Sequence, residues 1–200
     1  MRKRVAELTS NLLNPFLVSL AVIVLIAVDS TSSVFDALKW VVISLALSIL
    51  PVLGIIYYLV HHQRIEGISI RLRQQRGRVY LLAGACVVVS CAVLFYLGAP
   101  PVLVALFVAG LLAIVIFMCI NLWWKISVHT ALVGGSVTVL IVLYGFAGAI
   151  SAVLLPAVTW SRIELKHHSP AQVGAGALLA ALIVVGVFHL FGLVWPVGAV

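Results

Sequence analysis

Long apolar runs separated by short polar segments are the feature that most constrains how this chain can fold. A helix needs about 20 mainly apolar residues to cross a bilayer, where its backbone groups must bond internally. Seven segments approach that length, at residues 12–28, 37–60, 79–98, 102–122, 127–145, 147–161 and 171–195. The sequence therefore predicts an all-α, polytopic transmembrane helical bundle of six to seven spans, with the first run retained as a span. We expect one integral membrane domain over residues 1–200.

The composition excludes a water-soluble globular protein. Of the 200 residues, 64% are hydrophobic and only 8% are charged, whereas a soluble surface needs about a quarter charged residues. The net charge of +7 comes from cations at the ends of the predicted spans, so we expect anionic lipids and no nucleic acid as partners. The sequence does not indicate an oligomeric state.

The positions of the cations predict the orientation of the spans. With seven alternating spans, the N-terminus and segments 61–78, 123–127 and 161–170 share one side of the membrane. Of the 12 Lys and Arg residues, only Lys39 lies elsewhere. Because Lys and Arg are enriched in cytoplasmic loops, this side is predicted to face the cytoplasm, in a multi-pass protein of the inner (plasma) membrane.

Three groups of polar residues share the predicted cytoplasmic side. They are Arg71, Arg73, Arg76 and Arg78; then Lys125, Ser127 and His129; then Ser161, Arg162 and His168. Guanidinium groups match phosphate oxygens in pairs, and helix N-termini favour anions. The five acidic residues form no Asp-rich magnesium motif, and no zinc-ligand spacing is present, so we expect a phosphate-binding site without metal or other cofactor.

The spacing of these residues resembles the type 2 phosphatidic acid phosphatase superfamily of membrane lipid phosphatases. Its motifs are Lys-x6-Arg-Pro, Pro-Ser-Gly-His and Ser-Arg-x5-His-x3-Asp. Here Ser161-Arg162-x5-His168-x3-Gln172 is similar to the third motif, with Gln in place of Asp. Ser127 and His129 keep the Ser and His of the second, and Arg71-x6-Arg78 matches the first loosely, with Arg73 and Arg76 as the alternative pair. The resemblance implies a phosphatase-like core over about residues 64–195.

The resemblance also implies roles for these residues. His168 would be the nucleophile, forming a phosphohistidine, and His129 would be the general acid and base. The substrate's phosphate would be bound by Arg71, Arg78, Lys125, Ser127, Ser161, Arg162 and Gln172. Gln172 can hold His168 through a hydrogen bond but brings no charge, so activity is expected to be reduced or absent.

Several interpretations stay open at the level of sequence. The leading one is a metal-independent lipid phosphatase acting on phosphatidate-like lipids, lipid-linked phosphosugars or isoprenoid (di)phosphates. The second is a non-catalytic protein that binds or transports phospholipids or isoprenoid phosphates. A prenyl or alcohol phosphotransferase is the third, opposed by the missing Asp-rich motif. The arginines of 71–78 also fit an anionic-lipid patch, and Lys125 also fits a snorkelling helix end.

Overall fold

A computed structural model describes the chain over residues 1–62 and 73–194, with the side chains of 73–76 and 78 outside the description. Every regular element in these ranges is helical. The α-helices are α1 (Arg2–Leu12), α2 (Pro15–Asp29), α3 (Val34–Ser44), α4 (Leu50–His61), α5 (Arg73–Tyr96), α6 (Pro101–Ile120), α7 (Val128–Tyr144), α8 (Phe146–Ala149), α9 (Leu154–Glu164) and α10 (Pro170–Leu190). A π-helical turn, Leu45–Ile49, joins α3 to α4, and a 3-10 turn, Ile150–Val153, joins α8 to α9.

The structure confirms an all-α chain with several helices long and apolar enough to cross a membrane. By length and composition there are five in the described residues: Val34–His61, Val79–Tyr96, Pro101–Ile120, Phe146–Glu164 and Pro170–Leu190. A sixth is obtained if α1 and α2, bent by 41° at their junction, count as one broken span. The apolar helix α7 has 17 residues and is too short to be counted with them. The prediction of six to seven spans is therefore met only at its lower limit.

Proline and glycine residues set several helix boundaries. The residues Gly98-Ala99-Pro100-Pro101 are a strong turn pattern in the sequence. In the structure Gly98 adopts a φ of 71° and α6 starts at Pro101, which confirms the turn. Pro51 lies inside the apolar run 37–60, where proline indicates a kink, and the π turn lies immediately before it within the span Val34–His61. Proline has no N–H for the bond to residue 47, and the wider π turn accommodates that loss.

The described chain forms two compact units. The first unit joins Met1–Val22 to the described part of Ile126–Val200, and the second unit is the described part of Ile23–Lys125. In the second unit, α5 packs against α6 and against the π turn. In the first unit, Val133, Val137 and Val158 form a buried cluster against which Leu13, Val18, Ala152 and Leu155 pack. The single domain over residues 1–200 stays a prediction.

Helices α7 and α10 form the most extensive helix contact of the first unit. A Cβ atom on Gly176 would lie 2.7 Å from the carbonyl oxygen of Ser127 and 2.9 Å from Thr130 Oγ1. A Cβ atom on Gly134 would lie 2.9 Å from Cα of Ala177. These glycines are therefore required for close approach, as small residues are between membrane helices. The contact holds the start of α7 against the first turns of α10.

Candidate functional site

A tight turn connects the last turn of α9 to the start of α10. Lys166 adopts a φ of 54°, its N–H donates to the carbonyl of Ile163 at 2.9 Å, and the N–H of His167 donates to the carbonyl of Arg162 at 3.1 Å. This pair of bonds around a left-handed residue is the Schellman motif, in which glycine is usual because it lacks Cβ. The backbone N–H of His168 also donates to the carbonyl oxygen of Arg162, at 3.4 Å.

A capping box starts α10. The Oγ of Ser169 accepts a hydrogen bond from the backbone N–H of Gln172 at 3.3 Å, and the Oε1 of Gln172 accepts one from the N–H of Ser169 at 3.1 Å. Pro170 occupies the first helical position, where a missing N–H is tolerated. Two backbone N–H donors at the helix end are therefore satisfied reciprocally by side-chain oxygens.

The same Gln172 oxygen lies 3.2 Å from Nδ1 of His168. A backbone N–H can only donate, so the Ser169 contact identifies the carboxamide oxygen as the atom that faces both groups. An oxygen acceptor requires a proton on Nδ1 of His168. In the neutral imidazole, the lone pair then lies on Nε2.

The Arg162 side chain is buried in the first unit, with 4% of its surface exposed. Its Nη1 donates to the Oγ of Ser10 in α1 at 2.7 Å, and Ser10 is itself buried. The ends of the same helices are also linked by an ion pair, Arg2 to Glu164, at 3.9 Å. Helix α1 therefore contributes to the site, which the sequence reasoning missed.

Ser127 and His129 lie at the start of α7, as predicted. Ser127 is the N-cap, its Oγ accepts from the N–H of Thr130 at 3.4 Å, and its own N–H donates to the carbonyl of Gln172 at 3.4 Å. His129 follows in the first turn and is half-buried. The structure thus brings the beginning of α7 next to the residue that holds His168.

The two predicted phosphate-binding serines make local bonds. Ser127 caps α7, and Ser161 Oγ donates to the carbonyl of Val158 at 2.8 Å within α9. Both serines are fully buried. A phosphate-binding role for these hydroxyls stays a prediction. The hydrogen bonds that they make cap a helix or lie within one, and these bonds need no phosphate.

The remaining predicted phosphate ligands are not in the first unit. Arg71 lies outside the described residues. Arg78 belongs to α5, and the half-buried Lys125 follows α6; both are in the second unit. The alternative pair, Arg73 and Arg76, lies in the first turns of α5. The role of all these cations stays a prediction, and the candidate site consists of the first-unit residues.

The first-unit residues include two hydrogen-bonded groups: Arg162 with Ser10, and Gln172 with Ser169 and His168. The buried guanidinium of Arg162 supplies positive charge, and His168 supplies a nitrogen lone pair with a defined position. A guanidinium and an imidazole lone pair that face the same phosphoryl group can hold it and attack it. Within the described residues, no group of three His, Cys, Asp or Glu side chains is arranged to hold a metal ion.

No protein-family model, curated protein or solved structure matches this chain. Function is therefore inferred from the chemistry of the residues themselves.

Proposed function

We propose that this protein is a metal-independent membrane lipid phosphatase that hydrolyses a lipid phosphomonoester or an isoprenoid (di)phosphate. The observation that carries the proposal is the shared acceptor, Gln172 Oε1, which bonds both the Ser169 N–H and Nδ1 of His168. With the proton on Nδ1, the lone pair of the neutral imidazole lies on Nε2, which is the proposed nucleophilic atom. The motif resemblance around Arg162, His168 and Gln172 supports the same role.

The proposed reaction has two steps, each balanced in protons. In the first, Nε2 of His168 attacks phosphorus, the bond from phosphorus to the lipid oxygen breaks, and protonated His129 gives its proton to that oxygen. In the second, water attacks the phosphohistidine, neutral His129 takes a proton from the water, and the nitrogen–phosphorus bond breaks. Inorganic phosphate leaves, and both histidines return to their starting states.

Arg162 has the proposed role of neutralising charge on the phosphoryl oxygens. Its burial strengthens this interaction, because charges attract more strongly where water is excluded. The bond from Nη1 to Ser10 fixes one edge of the guanidinium. A positioned donor loses little free energy to reorganisation during the reaction.

The proposed substrate is a lipid because the site belongs to a chain with at least five helices of membrane-spanning length and composition. The excess of cations beside the predicted spans supports a site that faces the cytoplasm, at the inner membrane. Phosphatidate-like lipids, lipid-linked phosphosugars and isoprenoid (di)phosphates share the phosphoryl group that Arg162 and His168 would engage.

One observation favours a second candidate, a non-catalytic protein that binds phospholipids or isoprenoid phosphates. Gln172 is neutral and already serves as the third residue of the capping box. It therefore has a structural role that needs no catalysis. Such a protein would bind lipid phosphates but release no inorganic phosphate.

The test is phosphate release by purified protein from a panel of lipid phosphates, with and without EDTA. Release should persist in EDTA. His168→Ala should abolish it while leaving lipid-phosphate binding measurable. His167→Ala is the matched control: it removes the neighbouring imidazole and keeps the backbone N–H that bonds in the turn after α9, and a mild effect is expected. Binding without release would favour the second candidate, and an inactive His167→Ala beside an active His168→Ala would refute the assigned nucleophile.

A further inference from the structure

The hydroxyl group of Ser10 bonds differently from four other helical hydroxyls in the described residues. Thr9, Ser48, Ser90 and Thr138 each donate to a backbone carbonyl four residues earlier in their helix. The Oγ of Ser10 instead accepts from Nη1 of Arg162 at 2.7 Å. Within the described part of the chain, the Ser10 hydroxyl donates to no backbone carbonyl.

This difference leaves Ser10 with a proton to donate. A hydroxyl group carries one proton and two lone pairs, and Arg162 engages one lone pair. A hydroxyl oxygen that accepts from a cation becomes a better donor, because hydrogen bonds in a chain polarise one another. Ser10 and Arg162 are both more than nine-tenths buried, so competition from water is weak.

We propose that Ser10 belongs to the anion site, where it positions Arg162 and donates its proton to the same phosphoryl group. The inference rests on the proposed function for the identity of the anion. Independent contacts hold α1 at this place: Ala6 is fully buried, and Arg2 pairs with Glu164 at 3.9 Å. Both contacts lie in the N-terminal half of α1, on the helix that presents Ser10.

The outward face of α1 indicates that the anion is a lipid phosphate rather than free phosphate. Lys3 and Arg4 are exposed there, and Leu8 and Leu12 expose 62% and 70% of their surfaces. A short helix that exposes both cations and apolar side chains suits the boundary between headgroups and acyl chains. The phosphate of a membrane lipid would lie at the depth of this boundary.

The experiment compares Ser10→Ala, Ser10→Thr and the neighbouring control Thr9→Ala, whose wild-type hydroxyl bonds its own helix. Vanadate affinity and the rate constants for phosphate release are measured on folded protein in vesicles. A hydrogen bond to a charged group contributes enough for Ser10→Ala to weaken vanadate binding and lower kcat by about 10- to 100-fold. Ser10→Thr keeps the hydroxyl and should recover most of both values, while Thr9→Ala should match wild type.

The outcomes separate this inference from the proposed function. If wild type releases phosphate and Ser10→Ala binds vanadate as tightly as wild type, the role of Ser10 is wrong and the phosphatase proposal stands. If wild type neither binds vanadate nor releases phosphate, both are wrong. A purely structural role would lower the yield or melting temperature of Ser10→Ala without changing the vanadate affinity of the folded fraction.

A second arm identifies the source of the phosphate. A lipid phosphate in vesicles should be hydrolysed faster than a water-soluble phosphomonoester, and Leu8→Gln combined with Leu12→Gln should slow only the lipid reaction. Equal rates on both substrates, unchanged in the double variant, would overturn the assignment to a lipid.

Discussion

Two hydrogen bonds of the first unit join residues of different helices, whereas the buried serines Ser48 and Ser90 of the second unit bond within one helix. In the first unit, Arg162 of α9 donates to Ser10 of α1, and the N–H of Ser127 before α7 donates to the carbonyl of Gln172 in α10. In the second unit, Ser48 and Ser90 donate to carbonyls of their own helices.

The difference shows which hydrogen bonds depend on the relative position of two helices. A hydroxyl bonded to its own helix is satisfied wherever that helix lies, as a membrane interior requires. A bond between helices is satisfied only at one relative position of the two. The first unit therefore keeps its polar groups in a defined arrangement, as a binding or catalytic site requires.

The largest expected effect comes from adding charge at the residue that holds His168. Gln172→Glu keeps the side-chain length and the capping acceptor while placing a carboxylate near the imidazole. At an effective dielectric constant of about 20, a carboxylate about 4 Å from an imidazolium contributes about 4 kcal/mol before desolvation. We expect phosphate release to rise by about 10- to 1000-fold, measured as kcat/KM.

The pH profile gives the same variant a second readout. A nearby anion raises the pKa of an imidazole, so the neutral nucleophile is reached only at higher pH, and the pH optimum of Gln172→Glu should move upward. Gln172→Leu is the control that removes the acceptor and should lower activity. A Gln172→Glu variant slower than wild type would mean that the neutral amide itself is needed.

Gly176→Ala tests whether the first unit depends on close packing of α7 and α10. The added Cβ would lie 2.7 Å from the Ser127 carbonyl oxygen, so the helices must separate. We expect unfolding in detergent to be easier by about 1–3 kcal/mol. Gly174→Ala is the matched control in the same helix, because its Cβ would meet nothing within 4 Å. That substitution should be neutral or stabilising by up to about 1 kcal/mol.

Lys166→Gly tests the strained turn after α9. Lys166 has a φ of 54°, a conformation in which glycine avoids the contact made by Cβ. The substitution should raise the free energy of unfolding by about 1 kcal/mol or less, seen as a higher melting temperature. Lys166→Ala keeps the strain while removing the charge, and it should not stabilise. Equal stabilisation by both would assign the effect to charge rather than to the backbone.

Ser90→Ala tests the second unit and should have the smallest effect. The substitution removes a bond to the Cys86 carbonyl, worth about 1 kcal/mol, and introduces a residue of higher helix propensity. The two changes nearly cancel, so the unfolding free energy should stay within about 0.5 kcal/mol of wild type. A loss of several kcal/mol would show that second-unit hydroxyls also have position-dependent roles.

The sequence predicted the helices well because apolar runs of membrane-spanning length carry a strong signal. The Gly98 turn and the start of α6 at Pro101 were also recognisable, since these residue types restrict the backbone. The break between α1 and α2 was not recognisable from the sequence. The first predicted span began at residue 12, where α1 ends. A short helix of mixed polarity such as α1 has no apolar run to mark it.

Within the candidate site, local relationships were predictable and distant ones were not. His168 and Gln172 are four residues apart, and their contact follows from the spacing. Ser169-x-x-Gln172 is a recognisable capping-box pattern, which we interpreted only as a departure from a phosphatase motif. Ser10 is 152 residues from Arg162, and nothing in either neighbourhood points to the other.

The Oε1 atom of Gln172 accepts two hydrogen bonds, and this couples the motion of the His168 imidazole to that of the first turn of α10. Fraying of the first turn of α10 would break the bonds to Ser169 and to His168 together, since both end on one atom. Local unfolding of a single helical turn would then also release the imidazole to rotate and exchange tautomers. Hydrogen exchange at the Ser169 amide would therefore report how often the His168 imidazole loses its hydrogen bond to Gln172, without any substrate present.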